Sequence, residues 1–393
     1  MLTERARANY DDIAVCVPVT VPYTRYSLRS AHWYCGRALA ELIKGAGISK
    51  DQIDGFCVSS FTLAPDSAVG LMQHLGVSAR WLDHIPMGGA SGAVALRRAA
   101  RAVQTGDAKI VACIAADTNH VDSFRNTIAS FSQFANDAVY PYGSGGPNAS
   151  FAFLTDHYMR EYGARREDFA KLCIAQRDNA QATPHAMMKR PLTLDQYMTA
   201  RPIADPLCLF DCVMPCAGAE AFLIMSSDRA KLLGLSSASI LSTIERHNAF
   251  PDDPIQIRAG WAMDREAFYD HAGVGPEDID FLQAYDDYPV ICFMQIEDLG
   301  FCKKGEAPAF VREHNLTAEG NFPVNTSGGQ LSVGQAGAAG GSLGLVEAIR
   351  QLTDQCLGRV VKNARIGAAS CFGMINYDRG LCSSAAILAR SDL

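Results

Sequence analysis

The chain has 393 residues, 48% of them hydrophobic and 20% charged, with a net charge of −7. This is ordinary globular composition, with enough chain for a large core and two domains. The acidic balance and the lack of a basic patch argue against nucleic acid as a partner, so an anionic substrate must be held by local Lys, Arg and helix N-termini.

The N-terminal stretch "MLTERARANYDDIAV" lacks a charged-then-apolar signal pattern, and no apolar run is long enough to span a bilayer. Thirteen cysteines without close framework spacing read as reduced thiols of a cytoplasmic protein. Cys208, Cys212 and Cys216 form the densest group, but their spacing and apolar flanks favour buried structural cysteines over a metal site.

In chain order, the spacing predicts a helix over 36–46, "GRALAELIKGA", then a helix end and a strand over 48–60, "ISKDQIDGFCVSS". A Gly-rich entry opens a helix over 87–107, closed by Gly106, and "AKIVACIAADT" (108–118) is a strand buried on both faces. Strand–helix alternation of this kind defines an α/β layered fold. The same plan returns later. "VGPEDIDFLQAYDDYP" (274–289) matches 48–61 with a shared Ile-Asp. "GQAGAAGGSLGLVEAIRQL" (334–352) matches 88–103, and 358–373 takes the place of 108–118. Three matching units in one order predict a duplicated domain, with "AEAFLIMSS" (219–227) as the last strand of the first half and the boundary near 233–240. Residues 119–218 have no counterpart. Their Met, Pro and aromatic content points to a region that covers substrate or contacts a subunit.

Four loops sit where such a fold collects its sites. In Gly88-Gly89-Ala90-Ser91-Gly92, small residues serve either an oxyanion held by backbone N–H groups or close helix packing. "AYDDYP" offers Tyr285, Asp286, Asp287 and Tyr288, either acid–base groups or a solvated turn. "VNTSGGQLSVGQAGAAGG" (324–341) lacks the Walker lysine and the dinucleotide fingerprint, and fits a loop presenting amide donors to a carbonyl. Cys371, in Ser370-Cys371-Phe372-Gly373, is reactive only if it faces the other loops with a depressed pKa.

These four loops, in this order on a duplicated frame, resemble the thiolase superfamily, closest to the sterol-carrier-protein-type thiolases and thiolase-like lipid-transfer proteins. The stretches "PVNTSGGQLSVGQAGAAGG" and "ARPIADPLCLFDCVMPCAGAEAFLIMS" add to the likeness, which covers nearly the whole chain. The resemblance implies two βαβαβαββ halves, 1–235 and 236–393, in a five-layer αβαβα sandwich with an inserted loop domain at about 119–218, assembled as a homodimer. It implies a coenzyme A thioester as substrate, with no metal and no covalently bound cofactor. It further implies a small OB-fold partner protein with a zinc ribbon.

Carried over position by position, Gly89 stands where the family's acyl-accepting cysteine belongs, and Ser91 matches its structural serine. Tyr285 replaces the family's Asn or His, Gln335 its His, and Cys371 matches the second cysteine. The expected catalytic residues are therefore Tyr285, Cys371 and Gln335, with Gly89, Gly373, Ser91 and Asp286 at the oxyanion hole and substrate site. A glycine cannot form an acyl-enzyme. The expected reaction is retro-aldol or aldol chemistry on an acyl-CoA, with Tyr285 moving the β-oxygen proton and Cys371 protonating the enolate carbon. The alternatives are an acyltransferase that uses Cys371 as nucleophile and a non-catalytic acyl-CoA or lipid-binding subunit.

Overall fold

The computed structural model describes residues 9–121, 141, 143, 146–376 and 379–391. The first half runs β1 (Ile13–Thr24), α1 (Ala31–Ala46), β2 (Gly55–Ser59), α2 (Ala68–Leu75), β3 (Trp81–His84), α3 (Ser91–Gln104) and β4 (Ile110–Asp117). After an excursion through α4 (Pro147–Tyr162), α5 (Arg166–Ala180), α6 (Leu194–Met198), β5 (Pro202–Ala204) and β6 (Leu207–Cys208), it ends with β7 (Ala217–Ser226) and α7 (Ser227–Leu232). The second half runs β8 (Ser237–His247), α8 (Gly260–Ala272), β9 (Phe281–Gln283), α9 (Pro289–Asp298), α10 (Ala307–Glu313), α11 (Gly329–Val333), α12 (Gly340–Leu352), β10 (Ile366–Asn376) and β11 (Arg379–Arg390).

The strand order is β3-β2-β4-β7-β1-β8-β11-β10-β9, a mixed sheet in which β1 and β8 pair antiparallel at the centre. Read outward from that seam, the two sides follow the same order, so β8, β11, β10 and β9 answer β1, β7, β4 and β2. Val324 makes a single parallel bridge to Leu282 where the first half has the full strand β3. The repeated Ile-Asp does the same job twice. Asp54 Oδ1 accepts the Lys109 and Ile110 amides at the start of β4, at 2.7 and 3.0 Å. Asp280 Oδ2 accepts the Arg365 and Ile366 amides at the start of β10, at 2.7 and 2.9 Å. Each aspartate thus supplies acceptors for the first amides of the neighbouring strand.

Helix α1 begins where the Ser30 hydroxyl accepts the Trp33 amide and stops at Gly47, whose φ of 63° turns the chain out. It packs on β1, β4 and β7, while α8 packs on β8 and β11 at the opposite face. Between the two parts of the sheet lie α3 and α12, each touching strands of both halves, which gives five layers. The two helices cross with almost no space between them. A Cβ added to Gly92 would sit 2.1 Å from the Gly341 carbonyl oxygen, and one on Gly341 would sit 2.6 Å from that of Gly89. Both Gly-rich helix starts are therefore closely packed, one of the two roles the composition of 88–92 allows. Among the described residues, no helix is long and apolar enough to cross a membrane.

The candidate active site

The ends of β2, β4, β9 and β10 converge on one cavity of about 480 Å³, within the range of small-molecule sites. Asp117, at the end of β4, ties the loops together. Its carboxylate accepts the Phe61 and Thr62 amides, the Ser60 and Thr62 hydroxyls and the Ala338 amide, all within 2.9 Å for the nearer oxygen. A Cβ on Gly337, whose φ is +53°, would lie 2.2 Å from that carboxylate, so the close approach of the 334–341 loop needs glycine there.

Four of the seven sequence-predicted site residues line the cavity: Tyr285, Gln335, Gly89 and Gly373. Tyr285 follows β9 and is gripped through its backbone by Gln295 of α9. Its amide donates to Gln295 Oε1 at 2.9 Å and its carbonyl accepts Gln295 Nε2 at 2.7 Å. The phenol accepts Gln335 Nε2 at 3.2 Å and donates to Asp287 Oδ2 at 3.4 Å. Burial, with the Asp287 charge behind it, holds the phenol well above its ordinary pKa, so Tyr285 is protonated. Gln335 is fixed by its own backbone, which donates to the Met214 carbonyl and accepts the Cys216 amide.

The ring of Tyr285 fills the space a side chain at position 89 would need. A Cβ on Gly89 would lie 2.2 Å from Tyr285 Cε2 and Cζ and 2.2 Å from the Phe372 carbonyl oxygen. Gly373 packs equally tightly on the start of α3: its Cβ would meet the Ala90 and Gly89 nitrogens at 2.6 and 2.9 Å. The backbones of Gly89 and Gly373 are thus adjacent at the cavity wall.

The other three expected residues lie elsewhere. Cys371 faces the central helices, opposite to Phe372, and its thiol donates to the Gly341 carbonyl at 3.3 Å. Burial pushes it up to about 11, the reverse of the activation a nucleophile needs. Ser91 is fully buried and donates to the Ile85 carbonyl at 3.2 Å, a helix-start contact rather than a substrate contact. Asp286 points away from the cavity and accepts the Gln330 and Leu331 amides at 2.8 and 3.2 Å, anchoring α11. Its neighbour Asp287 is the acid of this loop that faces the cavity. Burial pushes Asp287 up to about 7, and its Oδ1 has no protein partner.

The described part of the insertion forms the far wall, with Asn148, Phe151, Arg177, Met188, Phe210 and Met214 facing the cavity. Part of the expected loop domain, chiefly residues 122–140, lies outside the described residues. Cys212 and Cys216 also line the wall, so the cysteine group read as inert core is partly a cavity surface, because 209–216 runs along the rim before β7. Tyr288 stacks on Phe151 at 4.4 Å and donates to Asn148 Oδ1, which fixes α4 against the "YDDYP" loop. Among the described residues no group of three or more His, Cys, Asp or Glu side chains is placed to hold a metal ion.

A thiolase C-terminal domain-like model matches residues 252–388. The chain is 30% identical to the steroid side-chain-cleaving aldolase of Thermomonospora curvata over 84% of this chain and 87% of that one. It is 27% identical to the 17-hydroxy-3-oxo-4-pregnene-20-carboxyl-CoA lyase of Mycobacterium tuberculosis, over 84% and 88%. The solved Ltp2-ChsH2(DUF35) aldolase matches with a TM-score of 0.81 and 26% identity, covering 96% of this chain and 98% of that one. With its duplicated five-layer fold, the chain belongs to the thiolase superfamily. Within it, the chain is an enzyme of the thiolase-like aldolase and acyl-CoA lyase branch, with thiolases and sterol carrier protein 2 as more distant relatives.

Proposed function

We propose that this protein cleaves the Cα–Cβ bond of a β-hydroxyacyl-CoA by retro-aldol chemistry, without an acyl-enzyme. One observation carries the reading: the space a side chain at Gly89 would need, where the resemblance puts the family's nucleophile, is filled by the Tyr285 phenol, which is hydrogen-bonded to Asp287, an acid that burial raises to about 7. A base with a pKa near the working pH is the effective kind. Tyr285 takes the β-hydroxyl proton as its own passes to Asp287. The Cα–Cβ bond breaks, its electron pair becomes the thioester enolate, and the β-carbon leaves as a ketone or aldehyde. Backbone N–H groups of Gly89 and Gly373 hold the enolate oxygen. The dyad returns one proton to Cα, which yields the shortened acyl-CoA with no net redox change and no co-reactant. Gln335 positions the Tyr285 hydroxyl.

The position of Cys371 gives the acyltransferase alternative no support, since its thiol does not line the cavity. By analogy with the solved aldolase, which carries a DUF35 partner, the same proposal includes a small partner of that kind and a homodimer. The test is to screen β-hydroxy- and β-ketoacyl-CoAs with the chain and its co-purifying partner. Release of a carbonyl product from the β-hydroxy series alone supports the reading. Turnover only of β-ketoacyl-CoA with added CoA replaces it with thiolysis, and binding without turnover assigns a binding subunit.

A further inference from the structure

Arg177 of α5 lines the same cavity and is only 6% exposed. Most buried arginines sit against a carboxylate, because a guanidinium stays protonated even when desolvated and its charge must be answered. Arg177 has no such neighbour: no carboxylate lies within ion-pair distance of it among the described residues. Its Nε donates to the Ser332 hydroxyl at 3.1 Å, one terminal nitrogen to the Arg190 carbonyl at 3.5 Å, and the other to the Met188 thioether at 3.2 Å. A thioether is a weak acceptor, and two of the five N–H groups have no protein partner among the described residues. The guanidinium lies 5.7 Å over the Phe210 ring. Among the described residues, the two carboxylates on the cavity wall are already engaged, Asp117 by the 60–62 and 337–338 loops and Asp287 by Tyr285.

We infer that Arg177 is a specificity residue that selects acyl-CoA substrates whose acyl chain carries a carboxylate. The reading rests on the acyl-CoA assignment above and names the class of acyl group. The apolar side chains of Met188, Phe210, Met214 and Leu331 suit the carbon skeleton, and Arg177, the one buried cation on this wall among the described residues, suits a single anionic group. Planar bidentate pairing with a carboxylate would use the two N–H groups that have no partner among the described residues. The phosphates of coenzyme A carry the same kind of charge, but Arg25 and Arg201 are the exposed cations at this cavity, and solvated phosphates suit exposed cations better than a desolvated one.

The test compares binding of saturated acyl-CoA pairs of equal chain length, one ending in a carboxylate and one in a methyl group, by calorimetry on the chain with its partner. Neither ligand has a β-hydroxyl, so the result stands whether or not retro-aldol cleavage is the reaction. Wild type should bind the carboxylate form about 10- to 100-fold more tightly, the range of a charge-assisted hydrogen-bonded pair. Arg177→Met should bring the two affinities together, and Arg177→Lys should keep part of the preference. Free coenzyme A provides the folding control and the phosphate arm, and Arg177→Met should bind it like wild type. The inference is overturned if wild type shows no preference, if Arg177→Met weakens both ligands in proportion, or if free coenzyme A loses as much affinity as the carboxylate ligand.

Discussion

Introducing a cysteine at position 89 is the sharpest perturbation of this site, because the thiolase resemblance puts the family's acyl-accepting cysteine at that position. The new Cβ would meet two groups at 2.2 Å, the Tyr285 ring and the Phe372 carbonyl. Neither can retreat cheaply. Phe372 lies in β10, which pairs with β11 along its length, and Tyr285 is held through its backbone by Gln295. Overpacking of a tight site costs about 1–3 kcal/mol, and a double contact with main chain on one side belongs at the top of that range. With an unfolding entropy of about 2.1 cal/mol/K per residue over 393 residues, about 3 kcal/mol lowers Tm by roughly 4 °C. The displaced ring also loses Gln335 and Asp287, so cleavage of β-hydroxyacyl-CoA should fall by the ~10²–10⁴-fold that a general acid–base group supplies. Gly89→Cys is therefore expected to be less stable and inactive as an aldolase, without gaining thiolysis. Scanning calorimetry and product assays on both substrate series measure it. A Gly89→Cys protein with unchanged Tm that thiolyses β-ketoacyl-CoA through an acyl group on the introduced thiol would refute the steric argument.

Further outcomes follow from the same geometry. Tyr285→Phe should lower kcat by ~10²–10⁴-fold with KM little changed, since only the proton-transfer oxygen is lost; steady-state kinetics decide it. Asp287 acts as a base only when ionised, and burial raises it to about 7, so kcat/KM should rise as pH passes upward through 7. Asp287→Asn should abolish that limb of the profile along with most of the activity. Cys371→Ala should keep most of the activity, because the thiol bonds to the Gly341 carbonyl away from the cavity; inactivation by this change would restore Cys371 as a catalytic residue. Glu220, fully buried, is pushed up to about 8 chiefly by burial, so wild type loses stability as pH rises from its unfolded value near 4.5 through 8. Glu220→Gln removes that loss and should gain on wild type by up to ~1.4 kcal/mol per pH unit across this window, as denaturant titrations at several pH values would show.

Much of the frame can be read in the sequence because its signals are local and physical. The Ile-Asp repeat marks a strand start in both halves, and the two glycine-rich entries mark helices too close for side chains. Which groups face the cavity is harder to read. Asp286 and Asp287 are adjacent in a loop just past β9, where strand alternation no longer fixes direction, so their opposite roles emerge only from the position of α11. Cys371 lies on the helix-facing side of β10, and a family motif cannot report that its thiol is turned inward. Arg177 sits in "REDFAKLCIAQRDNA", a stretch rich in charged and polar residues inside the insertion, with no local signal that singles it out. It is buried because the 329–333 helix and the 187–190 segment close over it, contacts made by residues more than 150 positions apart or across a turn. The Tyr285 ring packed over Gly89 is likewise a property of packing: the glycine at 89 is visible in the sequence, but what fills its space is not.

The most direct measurement of the central claim is the cleavage of a β-hydroxyacyl-CoA in D2O with no free coenzyme A present, followed by mass spectrometry of products and protein. The account predicts a carbonyl product and a shortened acyl-CoA carrying one deuterium at Cα, with the protein mass unchanged throughout. Cleavage that requires added coenzyme A, or a protein mass increased by an acyl group, would contradict it.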